Sequence, residues 1–172
     1  MRPSATLRRL LLASPVGPLL AEYDDAGVRA LRFWPQGEHP PAGTRDEPAR
    51  DDPLGRQLAR ELREYFVGTR REFTLPLALE GTGFRRAAWE ALRRIPFGET
   101  RTYGEIAREL GKPGASRAIG QANAHNPVPI VVPCHRVLAS GGGLGGYLGS
   151  REDGDGTGIK RWLLRHEGVP VR

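Results

Sequence analysis

Thr102-Tyr-Gly-Glu-Ile-Ala-Arg-Glu-Leu-Gly-Lys-Pro-Gly-Ala-Ser-Arg-Ala-Ile-Gly-Gln-Ala-Asn-Ala124 reads as two short helices and the turn between them. Thr102 and Glu105 have the spacing of a capping box, opening a helix that runs through Leu110 and closes at Gly111. Lys112-Pro113-Gly114 turns the chain, and a second helix follows from Ala115 to Ala124. The pair is a helix-turn-helix. Its second helix is nearly bare: Ala115, Ala118, Gly120 and Ala122 surround Arg117, the one long charged side chain. A helix that reads the major groove projects several polar side chains to base edges. A slim helix suits the narrow minor groove, with one residue inserted into the base stack. Close packing against a neighbouring helix would also explain the alanines, but the solitary Arg117 favours the groove.

Downstream lies Ile130-Val-Val-Pro-Cys134-His135-Arg136-Val137, which holds the only cysteine of the chain. Pro127, Pro129 and Pro133 predict an extended, stiff approach to it, since each fixes its own φ and biases its predecessor away from helix. Cysteine reacts as the thiolate, so a base is needed, and His135 is adjacent. On an extended chain the two side chains point to opposite sides, so a bridging water or a local turn is required. A carboxylate behind the imidazole would fix its tautomer; Glu167 is the candidate, with Glu99 and Glu105 behind it. Asn126, before Pro127, can brace a turn through its side-chain amide. The glycine-rich run of Gly145, Gly146, Tyr147, Leu148 and Gly149 forms a loop where backbone can approach a ligand. It matches neither a Walker loop nor a dinucleotide-binding fingerprint. The competing reading of Cys134 is a buried structural cysteine. His39, His125 and His166 share no spacing and are expected at the surface.

Upstream, Phe84, Ala87, Ala88, Ala91, Leu92 and Ile95 mark an amphipathic helix that Pro96 stops. Residues 6–34 read as a three-stranded antiparallel meander, with strands over 6–13, 19–23 and 28–34. A helix capped by Asp52 carries an apolar stripe from Leu54 to Phe66, and Phe73 to Leu79 reads as a further strand. The chain is thus α+β. Residues 1–80 form a scaffold domain and 81–172 a DNA-binding and catalytic domain, with a last helix over 160–166. The net charge of +6 falls entirely on residues 83–172, which hold 14 cations against 8 anions. That asymmetry points to a polyanion partner. A single cysteine excludes a disulfide framework and suits a reducing cytoplasm. No apolar run is long enough for a signal peptide or a membrane span.

Asn126-Pro-Val-Pro-Ile-Val-Val-Pro-Cys134-His-Arg-Val resembles the active-site signature of the O6-alkylguanine-DNA alkyltransferases. Ile95-Pro-Phe-Gly-Glu-Thr, Thr102-Tyr-Gly-Glu-Ile-Ala, Ser116-Arg-Ala-Ile-Gly, Gly145-Gly-Tyr147 and Leu163-Leu-Arg-His-Glu167-Gly stand in family order around it. The resemblance covers residues 83–169 and implies a ribonuclease H-like first domain and a winged-helix-like second one. It implies direct reversal of damage in duplex DNA: minor-groove binding, extrusion of O6-alkylguanine, and transfer of the alkyl group to Cys134. His135 would be the water-mediated base, Glu167 its orienter and Asn126 the brace. Tyr103 would assist flipping, and Arg117 would fill the vacated stack from a helix lined by Ala115, Ala118 and Gly120. Gly146, Tyr147, Leu148 and Val137 would form the substrate pocket. Neither metal nor cofactor is implied, and the protein would act as a monomer, with cooperative binding on DNA and O4-alkylthymine as a second substrate both left open. A sensor without transfer activity and a cysteine hydrolase are the alternatives. The chain departs from the family at Gly83, Arg85 and Leu148, and residues 150–158 read as an inserted, mobile loop beside the pocket.

Overall fold

The computed structural model describes residues 6–149 and 155–171 and divides into two compact units, Met1–Glu80 and Gly81–Arg172. In the first unit β1 (Arg8–Leu12), β2 (Leu19–Asp24) and β3 (Gly27–Phe33) form an antiparallel meander, with β2 in the middle. The register pairs Leu10 with Ala21 and Ala21 with Leu31, aligning three buried apolar positions across the sheet. Helix α1 (Pro53–Phe66) begins where Asp52 caps it and Pro53 supplies a pre-set φ. Leu58, Leu62 and Tyr65 are its buried stripe.

Asp52 also ties the helix to the sheet. Its carboxylate accepts from the Gly55 N–H at 2.9 Å, from the Tyr23 hydroxyl of β2 at 2.6 Å, and from Arg8 of β1 at 3.1 Å. Burial, reinforced by this carboxylate, pushes the Tyr23 phenol far above its ordinary value, so it remains a donor at all working pH.

The strand expected over 73–79 does not form. The Glu61 carboxylate, at the centre of α1, takes the Thr74 N–H at 2.9 Å, and Pro76 has no N–H to offer. Among the described residues only an isolated bridge between Val28 and Leu77 remains, with bonds from the Val28 N–H to Pro76 and from the Ala78 N–H to Val28.

In the second unit α2 (Gly83–Arg93), α3 (Tyr103–Glu109) and α4 (Ser116–Ala124) pack against one another. The capping box at Thr102 and Glu105 is complete in both directions. Gly111 and Gly114 take φ of 68° and 93° in the turn, a conformation that side-chain-bearing residues adopt only with strain. The Trp89 indole of α2 donates to the Ala122 carbonyl of α4 at 2.9 Å, fixing how deep α4 sits.

Two features depart from expectation. A parallel pair, β4 (Arg101–Thr102) with β5 (Val137–Leu138), joins the entry of α3 to the segment just past Cys134. Two-residue strands carry no periodicity and leave no sequence signal. The last helix, α5, runs Asp155–His166 and so begins five residues before Lys160. Thr157 is buried within it, which is why a polar, glycine-containing stretch is helical rather than loop. The remaining residues of the expected mobile loop, 150–154, lie outside the described residues.

Asp52→Ala removes the cap, the Tyr23 bond and the Arg8 partner together, and it is expected to destabilise the protein by about 2–3 kcal/mol. Asp52→Asn, which keeps the cap, is expected to lose less; guanidinium denaturation followed by circular dichroism checks the order.

Candidate active site and nucleic-acid interface

Asn126 holds the loop that carries the thiol. Its side-chain oxygen accepts from the Val128 N–H at 3.0 Å, and its amide nitrogen donates to the Val132 carbonyl at 2.7 Å. The same nitrogen donates to Cys134 Sγ at 3.1 Å. Between these bonds Ile130 is forced to φ of 75°, unusual for a β-branched residue and sustained only by surrounding constraint. The approach is therefore a tight bend, not the extended run that the three prolines suggested. Proline fixes φ but not ψ, so the Asn126 bonds decide the path. Cys134–Arg136 continues as a 3-10 turn, which rotates successive side chains by about 120° instead of opposing them.

His135 and Glu167 meet as expected. His135 Nε2 lies 2.7 Å from Glu167 Oε1, both side chains fully buried. Arg136 grips the same carboxylate in two places, Nε to Oε2 at 2.8 Å and Nη2 to Oε1 at 3.0 Å, and its Nη1 donates to the Ile95 carbonyl at 2.6 Å. The Gly98 N–H adds a contact of 3.2 Å. Burial alone would raise the Glu167 pKa; the bonds and charges of His135 and Arg136 prevail and hold it well below the usual carboxylate range. Burial pulls His135 down against the attraction of Glu167, leaving it neutral near pH 7. An ionised carboxylate only accepts, so Nε2 carries the proton and Nδ1 presents the basic lone pair. Nδ1 is buried, with no hydrogen-bond partner among the described residues.

Burial pushes the Cys134 thiol up to about 11, while the Asn126 amide, the Lys160 charge and the Tyr147 hydroxyl pull it down without prevailing. The resting group is thus a thiol, and its proton must leave as the reaction proceeds. Lys160 is fully buried on α5 and donates to the carbonyls of Val137 at 2.6 Å, Leu144 at 2.5 Å and Gly146 at 3.4 Å. It pins the glycine loop to β5. Gly145, at φ of 65°, sits so close to Tyr103 that a Cβ there would lie 3.3 Å from the phenol oxygen.

Cys134 lines a cavity of about 360 Å³ with Tyr103, Arg117, Gly120, Asn123, Gly146, Tyr147 and Leu148. A larger cavity, about 690 Å³, lies in the first unit between the β1–β2 end and α1, far richer in arginine but without a nucleophile. Burial first, then a charge on Cys134, raises the Tyr103 phenol, so it stays protonated. Arg117 is exposed in the first turn of α4, where a cation opposes the helix dipole. Ala115, which caps α4, and Ala118 on it do not line the cavity, and Val137 is fully buried with its backbone paired to Arg101. Glu105 is used by the capping box and Glu99 faces Arg101, so neither serves His135. His39 and His125 are exposed, but His166 is half-buried and stacks on Trp162 at 5.0 Å. No helix is long and apolar enough to cross a membrane, and no cluster of three potential metal-binding side chains occurs among the described residues.

A family model described as "6-O-methylguanine DNA methyltransferase, DNA binding domain" matches residues 83–169, and its "ribonuclease-like domain" matches residues 7–79. The chain belongs to the 6-O-methylguanine DNA methyltransferase family. A methylated-DNA–protein-cysteine methyltransferase from Methanosarcina acetivorans is 42% identical over 92% of this chain and 96% of its own. One from Mycobacterium tuberculosis is 44% identical over 90% and 88%. The crystal structure of the Mycobacterium tuberculosis O6-methylguanine methyltransferase superposes with a TM-score of 0.80 at 38% identity, covering 97% of both chains. The same organism's protein in complex with DNA gives 0.77 at 40% identity, covering 94% of this chain and 93% of that one. The family assignment fits the α+β architecture with a ribonuclease-like first domain.

Three contributors to the site were not anticipated. Arg136 was read as part of a signature and not as the clamp on Glu167. Lys160 had a signal available: it stands seven residues before Glu167, on the buried face of α5 with Leu163 and Leu164. Asn123 had none.

Two outcomes follow from the charge states. Glu167 has a depressed value in the folded protein, so its contribution is complete above the ordinary value of 4.5 and lost as pH falls below it. His135 acts in the same direction, since its neutral form is the one buried. Unfolding free energy is expected to fall steeply from pH 6 to pH 3, and Glu167→Gln is expected to flatten that fall while lowering stability at pH 7. Separately, alkylation of Cys134 by iodoacetamide is expected to quicken about tenfold per pH unit between pH 7 and 9, because the thiolate fraction does. Mass spectrometry of the adduct measures it.

Proposed function

We propose that this protein repairs alkylated duplex DNA by direct reversal, moving an alkyl group, methyl above all, from guanine O6 to Cys134 in one irreversible step. The observation that carries the reading is the joining of two devices. Cys134, followed directly by the His135 that pairs with Glu167, lines a cavity, and one wall of that cavity is α4 of a helix-turn-helix. The methylated-DNA–protein-cysteine methyltransferases at 42–44% identity support it.

The damaged base has to leave the helix to reach a buried thiol, at a cost of a few kcal/mol that is smaller for a mispaired base. A slim α4 fits the minor groove, and the exposed Arg117 enters the stack from which the base departs. Behind Cys134, His135 Nδ1 takes the thiol proton through a water, with Glu167 stabilising the imidazolium. The sulfur lone pair forms the S–C bond as the C–O6 bond breaks, and the departing electrons pass to guanine. The protonated Tyr103 phenol donates a hydrogen bond to the base as that charge develops. Tyr147 and Leu148 enclose the alkyl group. The thioether is stable and the chain has no second cysteine to release it, so each molecule reacts once. The protein works as a monomer without cofactor.

The test is a duplex bearing tritium-labelled O6-methylguanine. One label per chain on Cys134 is expected, with none on Cys134→Ala; turnover beyond one equivalent would falsify the reading. Arg117→Ala is expected to slow transfer about 10- to 100-fold while leaving iodoacetamide alkylation of Cys134 unchanged. DNA binding is expected to weaken as salt rises.

A further inference from the structure

The buried amide of Asn123 is not used in the chemistry above. It sits one turn beyond Gly120 on the face of α4 that walls the cavity, opposite the exposed end where Arg117 stands. Its side chain is buried, at 6% exposure, yet neither its oxygen nor its nitrogen completes a hydrogen bond of ordinary geometry among the described residues. The Tyr103 phenol lies beside it, and the amide acts on it as a donor that lowers its pKa, but the pair falls short of hydrogen-bond geometry. An unsatisfied amide in a protein interior is unfavourable by an amount comparable to a lost hydrogen bond, and native folds retain few of them. Gly120, Ala124 and Gly146 line the same cavity with no long side chain, which leaves space for a base edge to reach this amide.

We infer that Asn123 reads the extruded base, its amide pairing with the adjacent donor and acceptor on the ring edge of guanine. An amide offers one acceptor and two donors. O6-Alkylguanine presents a 2-amino donor flanked by acceptor ring nitrogens and satisfies both halves. O4-Alkylthymine presents only acceptors on the corresponding edge, so the amide oxygen would stay unpaired in its complex. Sites built to hydrogen-bond a group discriminate strongly against analogues that lack it. Asn123 is thus a determinant of base preference, whereas Cys134 and His135, which act at the alkyl carbon and the thiol, are indifferent to the base. This assignment rests on the transfer reading above.

The experiment uses the full chain with Asn123→Leu, near in volume and without polar atoms. Single-turnover rates are measured with duplexes carrying O6-methylguanine or O4-methylthymine. Transfer from O6-methylguanine is expected to fall about 10- to 100-fold, and transfer from O4-methylthymine by less than about 3-fold. Iodoacetamide alkylation of Cys134 and the melting temperature are expected to stay at or above wild-type values, since a structural role alone would move both. Equal transfer losses on the two substrates would overturn the assignment, as would unchanged rates on both. So would the absence of any further effect of Asn123→Leu in a Tyr103→Phe background, because Asn123 would then act only through the phenol. A wild-type protein that takes no label overturns the transfer reading and this assignment with it, a result distinct from an active wild type beside an indifferent variant.

Discussion

The buried carboxylate of Glu167 is the constraint on which the second domain turns. Two oxygens receive His135, both arms of Arg136 and the Gly98 N–H, so four donors from two segments converge on one side chain. A carboxylate taken out of water is strongly unfavourable unless so surrounded, which makes the convergence compulsory once Glu167 is inside. The consequence is reach. Arg136 is drawn to the Ile95 carbonyl, at the end of α2, and the 3-10 turn at Cys134 is held between α2 and α5. The same clamp settles the histidine tautomer. Fold and reactivity in this domain share one charge.

The thiol is guarded by opposition. Burial favours the neutral form, while the Asn126 amide, Lys160 and Tyr147 hold the means to stabilise the anion once it forms. A free thiolate would be open to any electrophile or oxidant that entered. A thiol that rests protonated in a buried site is open only to a group that fills the cavity. For a protein whose one cysteine is spent on reaction, that restraint matters more than speed. A solved family member at 40% identity shares the architecture of this chain.

Much of the organisation could be read directly from residues. The capping box at Thr102 and Glu105, the alanine-rich α4, the cysteine–histidine pair and the α+β order are local patterns, and local patterns survive folding. The strand expected at 73–79 failed because a distant carboxylate, Glu61, captured its backbone donor, and nothing in the strand itself records that competition. The helix α5 starts early because Thr157 is buried, again a fact about neighbours. The proline-rich approach to Cys134 bends because Asn126 bonds back across six residues.

Residue types and their spacing determined that this protein carries one cysteine, a histidine beside it, a bare second helix in a helix-turn-helix and a cationic second half. Those properties depend on covalent identity and on contacts within a few residues. Tertiary structure alone decided that Arg136 clamps Glu167, that Lys160 is internal, and that Asn123 faces the cavity with its amide unspent. Each of these depends on segments tens of residues apart being brought together under the rule that buried charge and buried polarity find partners, and that rule is satisfied only in three dimensions.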